Sequence, residues 1–274
     1  MDTSLIITTY NWPQALDMVL RSVLRQSVMP DEVVIADDGS TESTAEVIRA
    51  LRDQFSVPLH HIRQEDEGFR VARVRNLGAS KASGRYLIFV DGDMLLHRQF
   101  VRSHLALRKP GHFLHGPRVL LSDELARDLL RGKLPPRFGV LQAGVTNRLN
   151  MLHSLFLSRL ISHRSSSWQS RACNLSLYRD AFEKVNGFNE DFVGWGKEDS
   201  ELAYRLTLAG IRKVNLRLAG VAYHLGHAQS HERTHSEDLR RNEALLNKVI
   251  ANGSYWCDNG LTNHLTPAVL KDDA

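Results

Sequence analysis

Short apolar runs alternate with amphipathic stretches along the first ninety residues of the chain. Residues 4–9 predict a strand, and the apolar positions of residues 16–24 recur at the three- and four-residue spacing of a helix with one buried face. Asn11, Trp12 and Pro13 lie between these two stretches. They predict the start of the helix, because proline is favoured in a first helical turn.

The same alternation continues to residue 90. It predicts a helix at residues 71–82 and further strands at 32–36, 57–62 and 85–90. Ser43 followed by Glu46 is the pattern of a capping box, so we expect this pair to begin another helix. The βαβαβαβ order predicts an α/β fold, with a mostly parallel central sheet and helices on both faces.

The pattern weakens in the middle of the chain and returns near residue 172. A helix is predicted at 123–130, and residues 141–171 mix apolar and basic side chains, so we expect them to be mobile or to lie on the surface. The later predicted elements are a strand at 173–178, helices at 179–185 and 198–209, a strand ending at 224 and a helix at 232–250. We therefore divide the chain into segments 1–120, 121–171, 172–228 and 229–274.

The composition is that of a globular protein, with 42% hydrophobic and 24% charged residues. Its net charge of +4 is compatible with an anionic substrate, a membrane surface or nucleic acid, and decides between none of them. Two cysteines, Cys173 and Cys257, are too few for a disulfide framework and suit a reducing compartment. We find neither a signal-peptide pattern nor a membrane-length apolar run, so we expect a cytoplasmic protein.

Carboxylates follow two of the predicted strands at the point where each strand ends. They lie in the sequences Asp-Asp-Gly-Ser at 37–40 and Asp-Gly-Asp at 91–93. Ligands of parallel sheets bind at this edge, although either sequence would also serve as a polar turn. Together they favour a ligand site, because neighbouring carboxylates repel unless a cation or ligand compensates. Hard oxygen ligands would favour Mg²⁺ or Mn²⁺.

Two other clusters of charged residues flank predicted helices. Arg70, Arg73 and Arg75 suit diphosphate oxygens or a solvated helix face, and their spacing predicts that at least one points inward. His224 begins a run of histidines continued by His227, His231 and His235, which invites a zinc interpretation. Most of these are expected on the surface, and His224 at a strand end is the best ligand candidate.

The sequence Gly-Trp-Gly-Lys-Glu-Asp at 194–199 is the most specific stretch of the chain. Trp195 between glycines predicts an exposed aromatic platform for a sugar ring. Glu198 and Asp199 fall in the first turn of a helix, where the helix dipole stabilises carboxylates, and one of them could take a proton from a hydroxyl group. Helix capping would explain the acids but not the Gly-Trp-Gly.

Three other classes of protein fit the sequence less well. A dinucleotide oxidoreductase needs Gly-x-Gly-x-x-Gly after the first strand, where residues 8–12 read Thr-Thr-Tyr-Asn-Trp. A nucleotidyltransferase would carry a glycine-rich signature with basic residues there. The basic residues are not interleaved with aromatic ones, so we expect no nucleic-acid partner.

Five motifs occur in an order that resembles one enzyme family. They are Ile-Ile-Thr-Thr-Tyr-Asn at 6–11, Ala-Asp-Asp-Gly-Ser at 36–40, Val-Arg-Asn-Leu-Gly at 74–78, Asp-Gly-Asp at 91–93 and the motif at 194–199. The chain resembles the family 2 inverting glycosyltransferases of the GT-A fold over residues 4–226, weakly between 121 and 167. It is most similar to the bacterial chondroitin-polymerase type and to the carboxyl half of animal β-1,4-galactosyltransferases.

The resemblance implies a UDP-sugar donor, an Mn²⁺ or Mg²⁺ cofactor and a role for each candidate residue. Segment 1–120 would bind the nucleotide sugar, and segment 172–228 the acceptor. The implied uridine pocket consists of Thr9, Tyr10, Asn11 and Asp38. Arg75 would lie near the diphosphate and Asp91 near the ribose, while Asp93 and His224 would hold the metal. Asp199 would be the catalytic base, and the implied sugar-binding residues are Glu198, Trp195, Gly196 and Asn174.

The sequence departs from the family pattern at two places, both on the acceptor side. Lys197 replaces a second glycine, and Ala172-Cys173-Asn174 stands where Gly-Gly-Asn is common. The length accommodates one such domain, so we expect transfer of a single hexose or N-acetylhexosamine to a bacterial surface glycan, either lipopolysaccharide core or capsule. A catalytically silent relative that binds sugar nucleotide or glycan is the alternative. We further hypothesise that the basic, apolar-studded residues 131–171 lie against anionic inner-membrane lipid, where a lipid-linked acceptor resides.

Overall fold

The computed structural model describes residues 2–133, 138–139, 141–226 and 232–265, with the backbone alone at 163 and 232–235. The strands are β1 (Thr3–Thr9), β2 (Glu32–Asp37), β3 (Leu59–Arg63), β4 (Tyr86–Asp91), β5 (Met94–Leu96), β6 (His112–His115), β7 (Arg118–Leu121), β8 (Val145–Thr146), β9 (His163–Ser165), β10 (Asn174–Tyr178), β11 (Arg212–Asn215) and β12 (Ala222–His224). The helices are α1 (Pro13–Val23), α2 (Glu42–Arg52), α3 (Val71–Lys81), α4 (Phe100–Leu107), α5 (Asp123–Leu130), α6 (Leu155–Ile161), α7 (Arg179–Lys184), α8 (Glu198–Leu208) and α9 (Glu232–Asn252). Short 3-10 helices span η1 (Arg148–Met151) and η2 (Leu261–His264).

A central sheet has the strand order β3-β2-β1-β4-β10-β6-β11-β9. Its first four strands run parallel, as the alternation of strands and helices predicts. β10 is antiparallel and lies between β4 and β6, so segments 1–120 and 172–228 share one sheet. The four-segment division itself stays a prediction.

Helices cover both faces of the central sheet, which confirms the predicted α/β fold. Leu5 and Ile7 of β1 pack on one face with α1 and α2, whereas Ile6 packs on the other face with α3, α7 and α8. Side chains alternate between the faces of a strand, so a strand buried on both sides reads as a continuous apolar run. Cys173 and Cys257 are buried free thiols.

A second sheet, in the order β5-β12-β7-β8, lies beyond the end of β4. The middle segment, predicted to be mobile or surface-lying, contributes regular structure to both sheets. Its β8 pairs with β7, and β9 pairs with β11 at the edge of the central sheet. Strands of two and three residues are too short to leave a periodic pattern, which explains why the sequence did not reveal them.

The start of α1 agrees with the sequence, and the start of α2 does not. Pro13 is the first residue of α1. The capping box predicted at Ser43 and Glu46 is wrong, because α2 begins at Glu42 and its N-cap, Thr41, makes no capping bond through its side chain. Instead the backbone N–H of Thr41 donates to Asn11 Oδ1 at 2.8 Å, so a distant side chain helps to satisfy this helix start.

None of the helices in the described ranges combines the length and the apolar character needed to cross a membrane.

Candidate active site

Five of the predicted nucleotide-binding positions meet at one edge of the central sheet. Thr9 at the end of β1 is in register with Asp37 at the end of β2, and Thr8 is in register with Asp91 at the end of β4. Tyr10, Asn11 and Asp38 follow directly from these strand ends. The parallel strands therefore bring together Thr9, Tyr10, Asn11, Asp38 and Asp91, as the sequence predicts.

The turn after β1 is fixed by bonds to the turn after β2. Asn11 adopts a left-handed backbone conformation, with φ 44°, and its N–H donates to Ser40 Oγ at 2.9 Å. The ring of Tyr10 is about half exposed, and its hydroxyl donates to Asp66 Oδ2 at 3.1 Å. An accessible aromatic face above a rigid backbone turn is a suitable surface for a planar base.

Asp38 is buried at the base of this turn and is held from two sides. Gln64 Nε2 donates to its Oδ1, and the backbone N–H of Arg70 donates to its Oδ2 at 3.0 Å. Burial raises the pKa of Asp38 in spite of these bonds. Gln64 was not among the residues predicted from the sequence. It follows β3 as Asp38 follows β2, so inspection of the residue after every strand would have found it.

Arg75 joins the two halves of the site. Its Nη2 donates to Asp91 Oδ1 at 2.9 Å, and its Nη1 donates to Glu198 Oε1 at 3.1 Å and Asp199 Oδ1 at 3.0 Å. Thr8 Oγ1 also donates to Asp91 Oδ1, at 2.9 Å. The prediction that one of the three arginines points inward is confirmed. The guanidinium fork thus links the end of β4 to the first turn of α8.

One guanidinium faces three carboxyl groups in a site that is largely shielded from solvent, and this environment shifts the pKa values of Arg75, Asp91 and Glu198. Burial alone would lower the pKa of Arg75, but the three neighbouring acids raise it above its usual value. Burial, and next the charge of Asp199, raise the pKa of Glu198 to about 8. Burial also raises the pKa of Asp91. Glu198 therefore holds a proton near neutral pH.

The loop before α8 has a backbone that only a few residue types adopt easily. Gly194, Gly196 and Lys197 have φ values of 74°, 96° and 77°, so the lysine occupies a left-handed position that favours glycine. Trp195 is 42% exposed, as the predicted aromatic platform requires. Asp199 presents 18% of its side chain and Glu198 only 9%, so Asp199 is the more accessible carboxylate.

Helix α9 holds this loop from the outside. Asp238 Oδ2 accepts the backbone N–H of Trp195 at 3.1 Å, and Asn242 Nδ2 donates to the carbonyl of Gly196 at 2.9 Å. Lys197 Nζ lies 3.1 Å from Glu243 Oε1. A Cβ atom on residue 194 would lie 2.3 Å from the carboxyl carbon of Asp238, so only glycine fits there.

Asp93 and His224 meet at the junction of the two sheets. β5 and β12 pair next to them, and Asp93 Oδ2 lies 3.3 Å from His224 Nε2. Adjacent ligands about 2.1 Å from an octahedral cation are separated by about 3 Å, so this pair fits Mg²⁺ or Mn²⁺. Within the described part of the chain, no group of three or more His, Cys, Asp or Glu side chains could hold a metal. Such an ion would take further oxygens from phosphate and water.

The remaining histidine candidates lie outside the described side chains. His227 and His231 fall in a range that the structure does not describe, and at His235 only the backbone is described.

Asn174 is buried in β10, and all its polar side-chain atoms have protein partners. Its Nδ2 donates to the carbonyls of Pro117 at 2.9 Å and Gly220 at 2.8 Å, while its Oδ1 lies 3.1 Å from His104 Nε2. The structure therefore does not bring this amide to the other candidates as a free group. Its contact with a sugar stays a prediction.

Comparisons with known proteins agree with this geometry. Residues 4–118 match the family model for glycosyl transferase family 2, and residues 153–228 match the one described as N-terminal domain of galactosyltransferase. Validoxylamine A glucosyltransferase of Streptomyces hygroscopicus subsp. limoneus is 34% identical over 98% of this chain. Chondroitin synthase of Escherichia coli is 29% identical over 81% of the chain. The chain spans 58% and 34% of these two proteins, respectively.

Two solved structures share the fold. Staphylococcus aureus TarS 1–349 in complex with UDP-GlcNAc has a TM-score of 0.63 and 19% identity, over 96% of this chain and 69% of that one. Mannosyltransferase PcManGT from Pyrobaculum calidifontis, in complex with GDP-Man and Mn²⁺, has a TM-score of 0.61 and 19% identity, over 91% and 63%. The resemblance found in the sequence is thereby confirmed: residues 4–118 match the glycosyl transferase family 2 model, and the chain has the fold of the GT-A glycosyltransferases.

Proposed function

We propose that this chain is a metal-dependent inverting glycosyltransferase. It would move a single hexose or N-acetylhexosamine from a UDP-sugar to a hydroxyl group of a bacterial surface glycan, lipopolysaccharide core or capsule. The observation that carries the proposal is the Arg75 guanidinium, which contacts Asp91 on the nucleotide side and Asp199 on the acceptor side. A donor bound at the first and an acceptor at the second would be held next to each other.

The nucleotide would bind at the strand ends of the central sheet. Thr9, Tyr10, Asn11 and Asp38 would line the uridine pocket, with the tyrosine ring as its accessible apolar wall. Asp91 would lie beside the ribose. Arg75 would lie near the diphosphate end of the donor, where its fork would hold three carboxyl groups in place around the reacting groups.

Asp93 and His224 would hold the metal. When bound, Mn²⁺ or Mg²⁺ would neutralise the negative charge that develops on the leaving diphosphate. Asp93 directly precedes β5 and His224 is the last residue of β12, so the donor end of the site would lie at the junction of both sheets.

Asp199 would act as the base. Its Oδ1 is fixed by Arg75, which orients the carboxylate, and its exposure leaves it accessible to an acceptor hydroxyl. It would take the hydroxyl proton as the oxygen attacks the anomeric carbon from the face opposite the diphosphate, and the configuration would invert. Glu198 would donate a hydrogen bond to a sugar, because its raised pKa keeps it protonated, and Trp195 with Gly196 would contact the acceptor.

The name of one relative suggests the donated sugar. The validoxylamine A glucosyltransferase is 34% identical to this chain, so we place glucose first among the donors to be tested. The acceptor is proposed to be lipid-linked, at the cytoplasmic face of the inner membrane.

A UDP-sugar panel with Mn²⁺, Mg²⁺ or EDTA tests the proposal by release of UDP. Asp199→Asn is expected to lower turnover about 10²- to 10⁴-fold while calorimetry shows unchanged UDP-sugar affinity. Asp123→Asn, also in the first turn of a helix, is the matched control and should keep full turnover. UDP-sugar binding without turnover by the unaltered protein would instead identify the catalytically silent alternative, and turnover in EDTA would refute the metal requirement.

A further inference from the structure

Helix α6 has the reverse of the usual distribution of polar and apolar side chains. Ser158 is completely buried, in a helix that packs against α4, and its hydroxyl lies 3.0 Å from that of Ser162. Phe156 and Leu160 are 75% and 70% exposed. A surface helix of a soluble protein normally buries its apolar side chains and exposes its polar ones. Folding of this chain therefore does not explain why these positions are apolar.

The exposed side chains of α6 continue onto the preceding turn. Leu149 in η1 is 78% exposed. We define the apolar surface as Leu149, Leu152, Phe156, Leu157, Leu160 and Ile161, all of them exposed. Single exposed apolar residues are ordinary, whereas six within thirteen positions indicate a surface that another apolar phase covers.

The segment that carries the apolar surface has charges of one sign only. Residues 131–171 contain seven Lys and Arg and neither Asp nor Glu, so the rest of a chain with net charge +4 carries −3. Arg148 donates from its guanidinium to the carbonyls of Val145 and Gln142, and Arg159 and Arg164 are exposed. Within the described residues, none of these three arginines forms an ion pair with a carboxylate. The positive charge is therefore available to an external anion.

We infer that the apolar surface is a peripheral docking site for an anionic phospholipid bilayer. The leucine and phenylalanine side chains insert at the boundary of headgroups and acyl chains, and the arginines contact lipid phosphates. Charge complementarity selects this occupant over a second copy of the chain, because two such surfaces facing each other would bring like charges together.

The docking site is connected to the sheet that carries the candidate metal ligand His224. Asn150 Nδ2 donates to the carbonyl of Arg118 at 3.0 Å, which ties η1 to β7, and β7 pairs with the strand that ends at His224. A bilayer on the apolar surface would thus lie beside the sheet that carries the reaction site. A bilayer in this position could deliver a lipid-linked acceptor to the site. Only that consequence rests on the proposed function, whereas binding of the bilayer does not.

A vesicle flotation assay with the full chain tests the inference. It compares phosphatidylcholine vesicles with vesicles in which roughly a third of the lipid is phosphatidylglycerol, which supplies a negative surface potential. Binding is expected to the anionic vesicles alone and to fall with salt. Arg159→Gln/Arg164→Gln is expected to weaken it about thirtyfold, at roughly fivefold for each arginine. Arg25→Gln/Arg52→Gln removes two exposed arginines elsewhere and should leave it unchanged.

A second pair of variants tests the apolar part. Phe156→Ser/Leu160→Ser should abolish flotation, whereas Val28→Ser/Leu208→Ser, at two exposed apolar positions outside the surface, should retain it. Flotation of neither vesicle type, or of both equally, would overturn the inference. So would a dimer in light scattering that Phe156→Ser/Leu160→Ser dissociates, because the surface would then bind protein. UDP release by Phe156→Ser/Leu160→Ser is measured without lipid. Because this measurement does not depend on vesicles, failure of membrane binding can be distinguished from failure of the proposed function.

Discussion

Replacement of Arg75 by methionine would leave three carboxyl groups, one buried and two partly buried, without their common cation. The guanidinium lies within 3.1 Å of oxygens of Asp91, Glu198 and Asp199, and its own side chain is 3% exposed. Methionine retains much of the volume but neither the charge nor the five N–H donors. The variant should therefore lose stability mainly through electrostatics.

The expected loss follows from how deeply the partners are buried. Removal of one member of a buried ion pair costs about 3–5 kcal/mol, because the remaining charge has no compensation. Glu198, whose pKa is about 8, already holds a proton near neutral pH, so fewer charges lose their partner and we expect a loss of about 3 kcal/mol, the lower end of this range. For a large domain this corresponds to a decrease in Tm of about 6–12 °C.

Urea unfolding followed by circular dichroism measures the effect, with Arg73→Met as the matched control. Arg73 lies two residues away and donates to Gln64 Oε1 at 2.7 Å, but its side chain is 37% exposed, so its loss should cost about 1 kcal/mol or less. In Arg75→Met/Asp91→Asn, a neutral amide replaces one of the acids that lose their cation, and about 1 kcal/mol or more of the lost stability should be recovered. Equal midpoints for Arg75→Met and Arg73→Met would refute the assigned role of the Arg75 fork.

Two further predictions concern the fold. Burial lowers the pKa of His104 to about 4, so between about pH 6.5 and 4 the unfolded chain binds a proton that the folded chain does not. The free energy of unfolding should therefore decrease by up to about 3 kcal/mol as the pH is lowered through this range. His104→Gln should flatten that dependence in urea titrations, and an unchanged slope would contradict the burial of a neutral ring. Ser122→Ala should lower the free energy of unfolding by about 1 kcal/mol, because Ser122 Oγ accepts the N–H of Leu125, whereas Ser43→Ala should lower it by less than about 0.5 kcal/mol. Equal losses in calorimetry would indicate that Ser43 does form a capping box.

The local features of the fold could be read from the sequence. Apolar runs and helical spacing depend on neighbours a few residues away, and they give the strand–helix order up to β4 correctly. The motif Asp91-Gly92-Asp93 could be placed at a strand end for the same reason. Its grouping with the residues after β1 and β2 follows from the rule that parallel strands end at one edge.

The periodicity of apolar residues could not predict contacts between residues that are far apart in the sequence. The spacing of residues 70, 73 and 75 shows that one side chain turns inward, but the acids that Arg75 contacts are 16, 123 and 124 positions away. The antiparallel insertion of β10 depends in the same way on tertiary packing. The capping pattern at Ser43 failed because Asn11, thirty positions earlier, supplies a bond at that helix start.

The fastening of the Gly-Trp-Gly loop to α9 has a consequence for how this enzyme can evolve. The loop is held by side chains 43 and 46 positions further on, and these lie beyond residue 228, where the match to the galactosyltransferase family ends. A substitution on α9 can therefore tilt Trp195 while every residue of the 194–199 motif stays the same. Two relatives with identical motifs can thus differ in the orientation of Trp195, and a protease cut before α9 would release the loop without touching a residue of the motif.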